Sequence, residues 1–321
     1  MKKFLLVLLA VLLAMTSVAS AAGLPKKIEV QLPAKAGGGT DVAGRQLTDW
    51  INKNGGTTMT IKNNTDGNGV VAYETIRTGK KDGSKILFFH STMIIKYATK
   101  KYQYSPVDEF KIAGVATPTE KGGYVLVVPA DSGIASVADF IAAANEKELR
   151  IGIETGGSSH IMSGMMSKEL GITLRYTDAG SDTEKLTGLV GGSIDCALVN
   201  ANQAKQYVES GKVNALAVFS ATDEGARNSV LPDVPSFKEE GYNLVFGTYF
   251  YVLLPKTADD ETAQAIHDVF ANAASDPEVK EILEKSGFGM EFAAYEDGPA
   301  LMQAQQEALV AACHDLGLDQ E

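Results

Sequence analysis

The chain is poor in cysteine and almost empty of tryptophan, with two Cys and one Trp in 321 residues. Two thiols cannot build a disulfide scaffold, so stability has to come from a packed core. A content of 45% hydrophobic and 21% charged residues is that of an ordinary globular protein. Basic charge is in deficit too: 29 Lys and Arg face 40 Asp and Glu, for a formal net charge of −11. That balance makes nucleic acid and anionic membrane surfaces poor partners. A small anion is not excluded, because pocket amides act within a few ångströms whereas surface charge is screened over ~8–10 Å. Beyond the N-terminal stretch no apolar run is long enough to span a bilayer. The common catalytic motifs are missing as well. There is no G-x-S-x-G elbow, P-loop or C-x-x-C, and His90, His160, His267 and His314 stand far apart with no H-E-x-x-H pair. Neither a metal nor a cofactor is expected. Gly67-Asn68-Gly69-Val70-Val71-Ala72 fits a loose dinucleotide fingerprint, but Leu87-Phe88-Phe89 stand where an acidic residue should close the strand. An exported α/β enzyme is therefore the weaker alternative.

What is present starts with Lys2 and Lys3 before an apolar run from Phe4 to Met15, followed by the small residues Ala19-Ser20-Ala21-Ala22. This pattern is a secretory signal peptide over residues 1–22, too short for a membrane anchor, and the mature chain is expected to be soluble and periplasmic. Next, a strand-like run from Ile28 to Leu32 feeds Pro33 through Asp41, which opens a helical pattern of Val42, Leu47, Trp50 and Ile51. Gly37, Gly38 and Gly39, followed by Thr40, free the backbone to bring N–H groups close to a ligand, and the helix start adds unpaired amides. The device recurs where Ile151-Gly152-Ile153 leads through Gly156, Gly157, Ser158 and Ser159 into a run containing Ile161, Met162 and Leu170. Two such loops suggest a small anion held between them. His90, Ser91 and Thr92 end the strand from Ile86 to Phe89, and Asn200 and Asn202 end another. They qualify as contacts because open α/β sheets bind ligands at strand carboxyl ends.

Short apolar strands alternate with amphipathic helices. Strands are expected at 28–32, 58–62, 85–89, 112–116, 124–128, 150–153, 172–176, 194–199, 214–219 and 248–254. Helices are expected at 41–53, 69–79, 136–146, 159–170, 181–191, 201–210, 235–240, 261–274, 277–286 and 295–314. The alternation argues for α/β layers with mostly parallel sheets. Breaker-rich stretches at 117–123 and 231–241 suggest two chain crossovers. They divide the chain into a discontinuous lobe of 24–123 plus 243–321 and an inserted lobe of 124–242, with the Gly-rich loops facing each other across a cleft.

These residues resemble the substrate-binding proteins of tripartite tricarboxylate transporters, the Bug or TctC-like family. Pro33 through Arg45 is similar to that family's first signature, with Gly38, Gly39, Asp41 and Arg45 at matching positions. Asn63 through Gly69 resembles its second Gly-rich loop, and Tyr104 through Phe110 its Tyr-Asp-Pro-x-x-Asp-Phe element. Gly211 through Val218 and Leu231 through Gly241 match further stretches. The resemblance covers nearly all of the mature chain. It implies a two-lobed periplasmic-binding-protein-like fold that closes around a small organic carboxylate or amino acid as a monomer and delivers it to integral membrane permease subunits. A ligand-sensing subunit that docks to a membrane sensor has the same fold. The implied carboxylate grip is backbone amides of Gly37–Thr40 on one side and Gly156–Ser159 on the other.

The chain departs from the family at Tyr176 through Thr183, where Asp178 stands in place of an expected basic residue, and at Ala34-Lys35 in the first signature. Asp178 reads either as a ligand contact that favours an ammonium group or as a turn residue capping the next helix. Asp41 reads as a helix N-cap. His160 either touches ligand or simply packs. Cys196 and Cys313 read as packed thiols, with one disulfide as the alternative. Gly38→Val is expected to abolish binding, because a branched Cβ blocks both approach and any φ > 0 geometry.

Overall fold

Runs rich in Val, Ile, Leu and Phe, bounded by Gly, Asn and Pro, form the strands of a computed structural model that describes residues 23–119, 123–222 and 224–319. The expected signal peptide at 1–22 lies outside the described residues. The first sheet grows from β1 (Lys27–Leu32), α1 (Gly39–Asn54), β2 (Thr58–Asn63), α2 (Val70–Arg77) and β3 (Lys85–His90). β1 pairs in parallel with both β2 and β3, as helical crossovers require. After α3 (Thr92–Ala98), α4 (Pro106–Glu109) and β4 (Phe110–Pro118) the chain leaves this sheet. It builds a second one from β5 (Gly123–Pro129), α5 (Val137–Glu146), β6 (Leu149–Ile153), α6 (Ser158–Leu170), β7 (Leu174–Asp178), α7 (Asp182–Val190), β8 (Cys196–Asn200), α8 (Ala201–Glu209) and β9 (Val213–Ser220). It then returns as β10 (Phe250–Pro255), α9 (Asp260–Ser275), α10 (Pro277–Lys285), β11 (Met290–Phe292) and α11 (Gly298–Asp315). The strand orders are β11-β4-β10-β3-β1-β2 and β7-β6-β8-β5-β9. No helix among the described residues is long and apolar enough to cross a membrane.

The sheets are mixed, not mostly parallel as the alternation suggests. β10 runs against β3 and β4, and β5 against β8 and β9. Each of these strands arrives from the other sheet, free of the helical crossover that forces a parallel partner. The helix expected at 235–240 is a single capped turn. Ser236 and Glu239 exchange reciprocal hydrogen bonds of 2.8 and 3.1 Å, but Gly241 at φ 90° stops the chain there.

One core packs Leu47 and Ile51 of α1 and Ile266 and Phe270 of α9 on the first sheet. Phe88 stacks at its centre, with ring centroids 5.3 Å from Phe250 and 5.9 Å from Phe270. A second core sits under α7 and α8, around Val125, Leu186 and Val199. A third joins the sheets: Tyr73 and Phe89 from the first meet Leu126 and Met162 from the second, with Met302, Leu309 and Cys313 of α11 between them. Cys196 and Cys313 are both free and buried. Burial pushes the Cys313 thiol up to about 12 and the Cys196 thiol upward as well.

Candidate functional site

The loop after β1 is shaped by Asp41. The Gly37 N–H donates to Asp41 Oδ2 at 2.9 Å, Arg45 Nε donates to the same oxygen at 2.9 Å, and Asn63 Nδ2 donates to Oδ1 at 2.8 Å. Burial raises the Asp41 carboxyl, but these donors outweigh it and hold the group below the ordinary Asp value. Asp41 is thus a clasp under the loop and not the N-cap expected from sequence. The N-cap is Gly38, and no side chain caps the helix there. The first-turn amides of α1 are left open to an incoming anion. Arg45 spends its charge on Asp41. The positive φ lies at Gly37 (79°), whereas Gly38 has φ −74°. The backbone reason offered for Gly38→Val therefore does not hold, and a Cβ there acts through contact, 3.2 Å from the Lys35 carbonyl.

The second loop repeats the arrangement. Gly156 takes φ 71°, Gly157 is the N-cap of α6, and again no side chain caps the helix. Ser159 Oγ accepts from the Glu154 N–H at 2.9 Å and so holds the loop against its own helix. His160 Nδ1 accepts from the Gly156 N–H at 3.3 Å, and its ring packs edge-on to Tyr176 at 5.1 Å. It is 3% exposed, a packed residue supporting the loop.

The two loops open into one cleft of about 810 Å³ between the sheets. Of the sequence-predicted residues, Gly37, Gly38, Gly39, Thr40, His90, Thr92, Ser158, Ser159 and Asp178 line it. Thr92 Oγ1 and Ser158 Oγ, one from each side, lie 3.1 Å apart at its floor. Ser91, Gly156, Gly157, Asn200 and Asn202 stand behind the wall. Ser91 Oγ accepts from the Tyr249 N–H at 3.0 Å and from Gln305 Nε2 at 3.2 Å, fastening the end of β3 to β10 and α11. Asn200 Oδ1 accepts from the Asn202 N–H at 3.0 Å and Asn200 Nδ2 donates to the Gly287 carbonyl at 3.4 Å, so this pair caps α8.

Both lysines of the wall are paired in place. Lys35 reaches across from the first loop to Glu184 on α7 at 2.9 Å, and Lys185 meets Asp182 at 2.9 Å. Hydrogen bonds from Ser181 and Lys35 hold the Glu184 carboxyl down at about 2. Lys96, 3% exposed, donates to the Asn68 carbonyl and lies 3.9 Å from Glu154; burial lowers its pKa. Burial drives His90 down to about 3, with Lys96 adding to the effect, so the ring is neutral. Its Nδ1 accepts from the Thr92 N–H at 3.4 Å, which leaves the proton on Nε2. Asp178 ends β7 exposed to the cleft; Ser181, not Asp178, caps α7. Phe288, Gln203, Tyr124, Lys35 and Glu184 also line the cleft and were not marked as contacts from sequence. Lys35 carried a signal, as a departure from the family signature. Phe288 and Gln203 carried none, being far along the chain from the loop they face.

The profile of a family described as "Tripartite tricarboxylate transporter family receptor" matches residues 43–314. The chain is 27% identical to a Cupriavidus necator protein described as "UPF0065 protein in gbd 5'region", over 94% of this chain and 88% of that one. Its fold is similar to that of the periplasmic binding protein BugD, with a TM-score of 0.80 and 21% identity over 92% of this chain and 99% of that chain. It is also similar to MatC from Rhodopseudomonas palustris with bound malate, with a TM-score of 0.76 and 19% identity over 89% and 98% of the two chains.

Proposed function

The chain belongs to the tripartite tricarboxylate transporter receptor family, and from that premise we propose that it captures a small organic carboxylate in the cleft between its sheets. On this reading the protein closes around the ligand outside the cytoplasm and hands it to integral membrane permease subunits. It is a binding protein and not an enzyme, as are the family and the solved neighbours. The observation that carries the reading is the pair of helix N-termini, α1 and α6, that open into one cleft without a side-chain cap. Amide donors from Gly39–Thr40 and Ser158–Ser159, joined by the Thr92 hydroxyl and the neutral His90 ring, supply the grip; the Gly38 N–H is already taken by the Lys35 carbonyl at 3.1 Å. Each hydrogen bond to a charged group is worth ~1.5–3 kcal/mol, and micromolar affinity needs only ~8 kcal/mol net. A handful of such donors suffices without an arginine. Malate and adipate occupy two solved neighbours, which supports the ligand class. Native mass spectrometry of the mature protein is expected to show a co-purified small carboxylate, whose affinity calorimetry then measures. Failure of every carboxylate in a broad panel to bind, or turnover of one, would overturn the reading.

A further inference from the structure

The cleft wall holds more negative charge than its own cations answer. Lys35 is taken by Glu184 and Lys185 by Asp182, each at 2.9 Å. Lys96, behind the wall, gives its hydrogen bond to the Asn68 carbonyl and serves Glu154 only at 3.9 Å. Among the described residues no arginine lines the cavity, and the His90 ring is uncharged.

Asp178 remains. Its side chain makes no hydrogen bond or ion pair with any described residue, and it faces the cavity from the end of β7. Its place relative to the anion-binding loops is fixed by the sheet. Asp178 pairs in register with Ile153 on β6, and the N–H groups of Ala179 and Gly180 both donate to the Ile153 carbonyl, at 2.8 and 3.2 Å. Neighbouring strands lie about 4.8 Å apart. The Asp178 carboxylate therefore stands beside the loop that leads into the N-terminus of α6. A ligand carboxylate held between α1 and α6 has it as a neighbour.

A second ligand carboxylate would enter this region with no free cation to meet it and one free anion to repel it. A protonated amine would find a partner inside a closed cleft, where opposite charges attract more strongly than in water. We infer that the ligand is an amino carboxylate, a zwitterion whose carboxylate meets the α1 and α6 amides and whose ammonium group meets Asp178. This rests on the carboxylate-binding reading of the cleft and names the class of ligand within it.

The test is a thermal-shift and calorimetric panel on the mature protein. The panel holds the L-amino acids, β-alanine and γ-aminobutyrate, each amino compound matched with the acid that lacks its amine, together with malate and adipate. At least one amino compound is expected to bind at least tenfold more tightly than its matched acid. Asp178→Asn is expected to erase that preference, weakening the amino compound while the matched acid binds no less tightly than to the wild type. Unliganded thermal midpoints of the two proteins confirm that both are folded. Equal or tighter binding of the matched acids or of the dicarboxylates overturns the inference and leaves the carboxylate reading standing. So does an amine preference that survives Asp178→Asn. Binding of no carboxylate of any kind overturns both.

Discussion

An added Cβ at Gly39 would lie 2.3 Å from Phe288 Cε2 and 2.9 Å from Cζ, closer than real side chains approach. Gly39 is therefore required by contact and not by dihedral angle, and the phenyl ring meets it from a loop that sequence reading never connected to the site. Gly39→Ala must displace either Phe288 or the first turn of α1, both of which line the cleft. A stability loss of about 1–3 kcal/mol is expected, the usual cost of overpacking, with weaker ligand binding alongside. Denaturant unfolding and calorimetry check it; an unchanged unfolding midpoint would mean that Phe288 swings aside freely. Other residues were legible because their chemistry is local. The glycines before Asp41 and before α6 announced two open helix ends. Asp41 is less legible, since a carboxylate near a helix start is a cap by default. Asp41 turns instead to Arg45 and Asn63, and the cap before α7 falls to Ser181.

At the scale of elements, α7 links the cleft to stability. Its Ser181–Glu184 capping box closes the helix start, and Glu184 also receives Lys35 from the opposite side of the cleft. The folded-state pKa of Glu184, about 2, lies below its ordinary 4.5. A carboxyl depressed in this way stabilises the native state fully above its unfolded value and loses that contribution as pH falls through the folded value. The stability difference between wild type and Glu184→Gln is thus expected to be constant near neutrality and to shrink as pH falls from 4.5 towards 2. Because both partners are half-exposed or more, screening limits the ion pair to ~1 kcal/mol or less. Unfolding curves across that pH range test it, and a difference undiminished at the acid end would refute the assignment. Two of the elements absent from the sequence reading, α3 and β11, lack a pattern. α3 is buried on nearly every side, so it shows no amphipathic period, and β11 has only three residues.

At the scale of the whole molecule, Thr92 with Ser158 and Lys35 with Glu184 join the two sheets across the cleft. The core around α11 joins them on its other side. A ligand touching both helix ends favours the closed arrangement over any open one, so small-angle scattering is expected to give a smaller radius of gyration with saturating carboxylate than without. Identical radii would remove the hinge from the mechanism. The sequence by itself determined the α/β alternation and the two glycine loops, because each is written in residues close together. Only the tertiary structure decided that the strands entering after each crossing run antiparallel, that Phe288 roofs Gly39, and that Lys35 and Lys185 are already neutralised. Those outcomes depend on which distant segments meet, and whether a charge in the cleft is free depends on neighbours that chain order does not reveal.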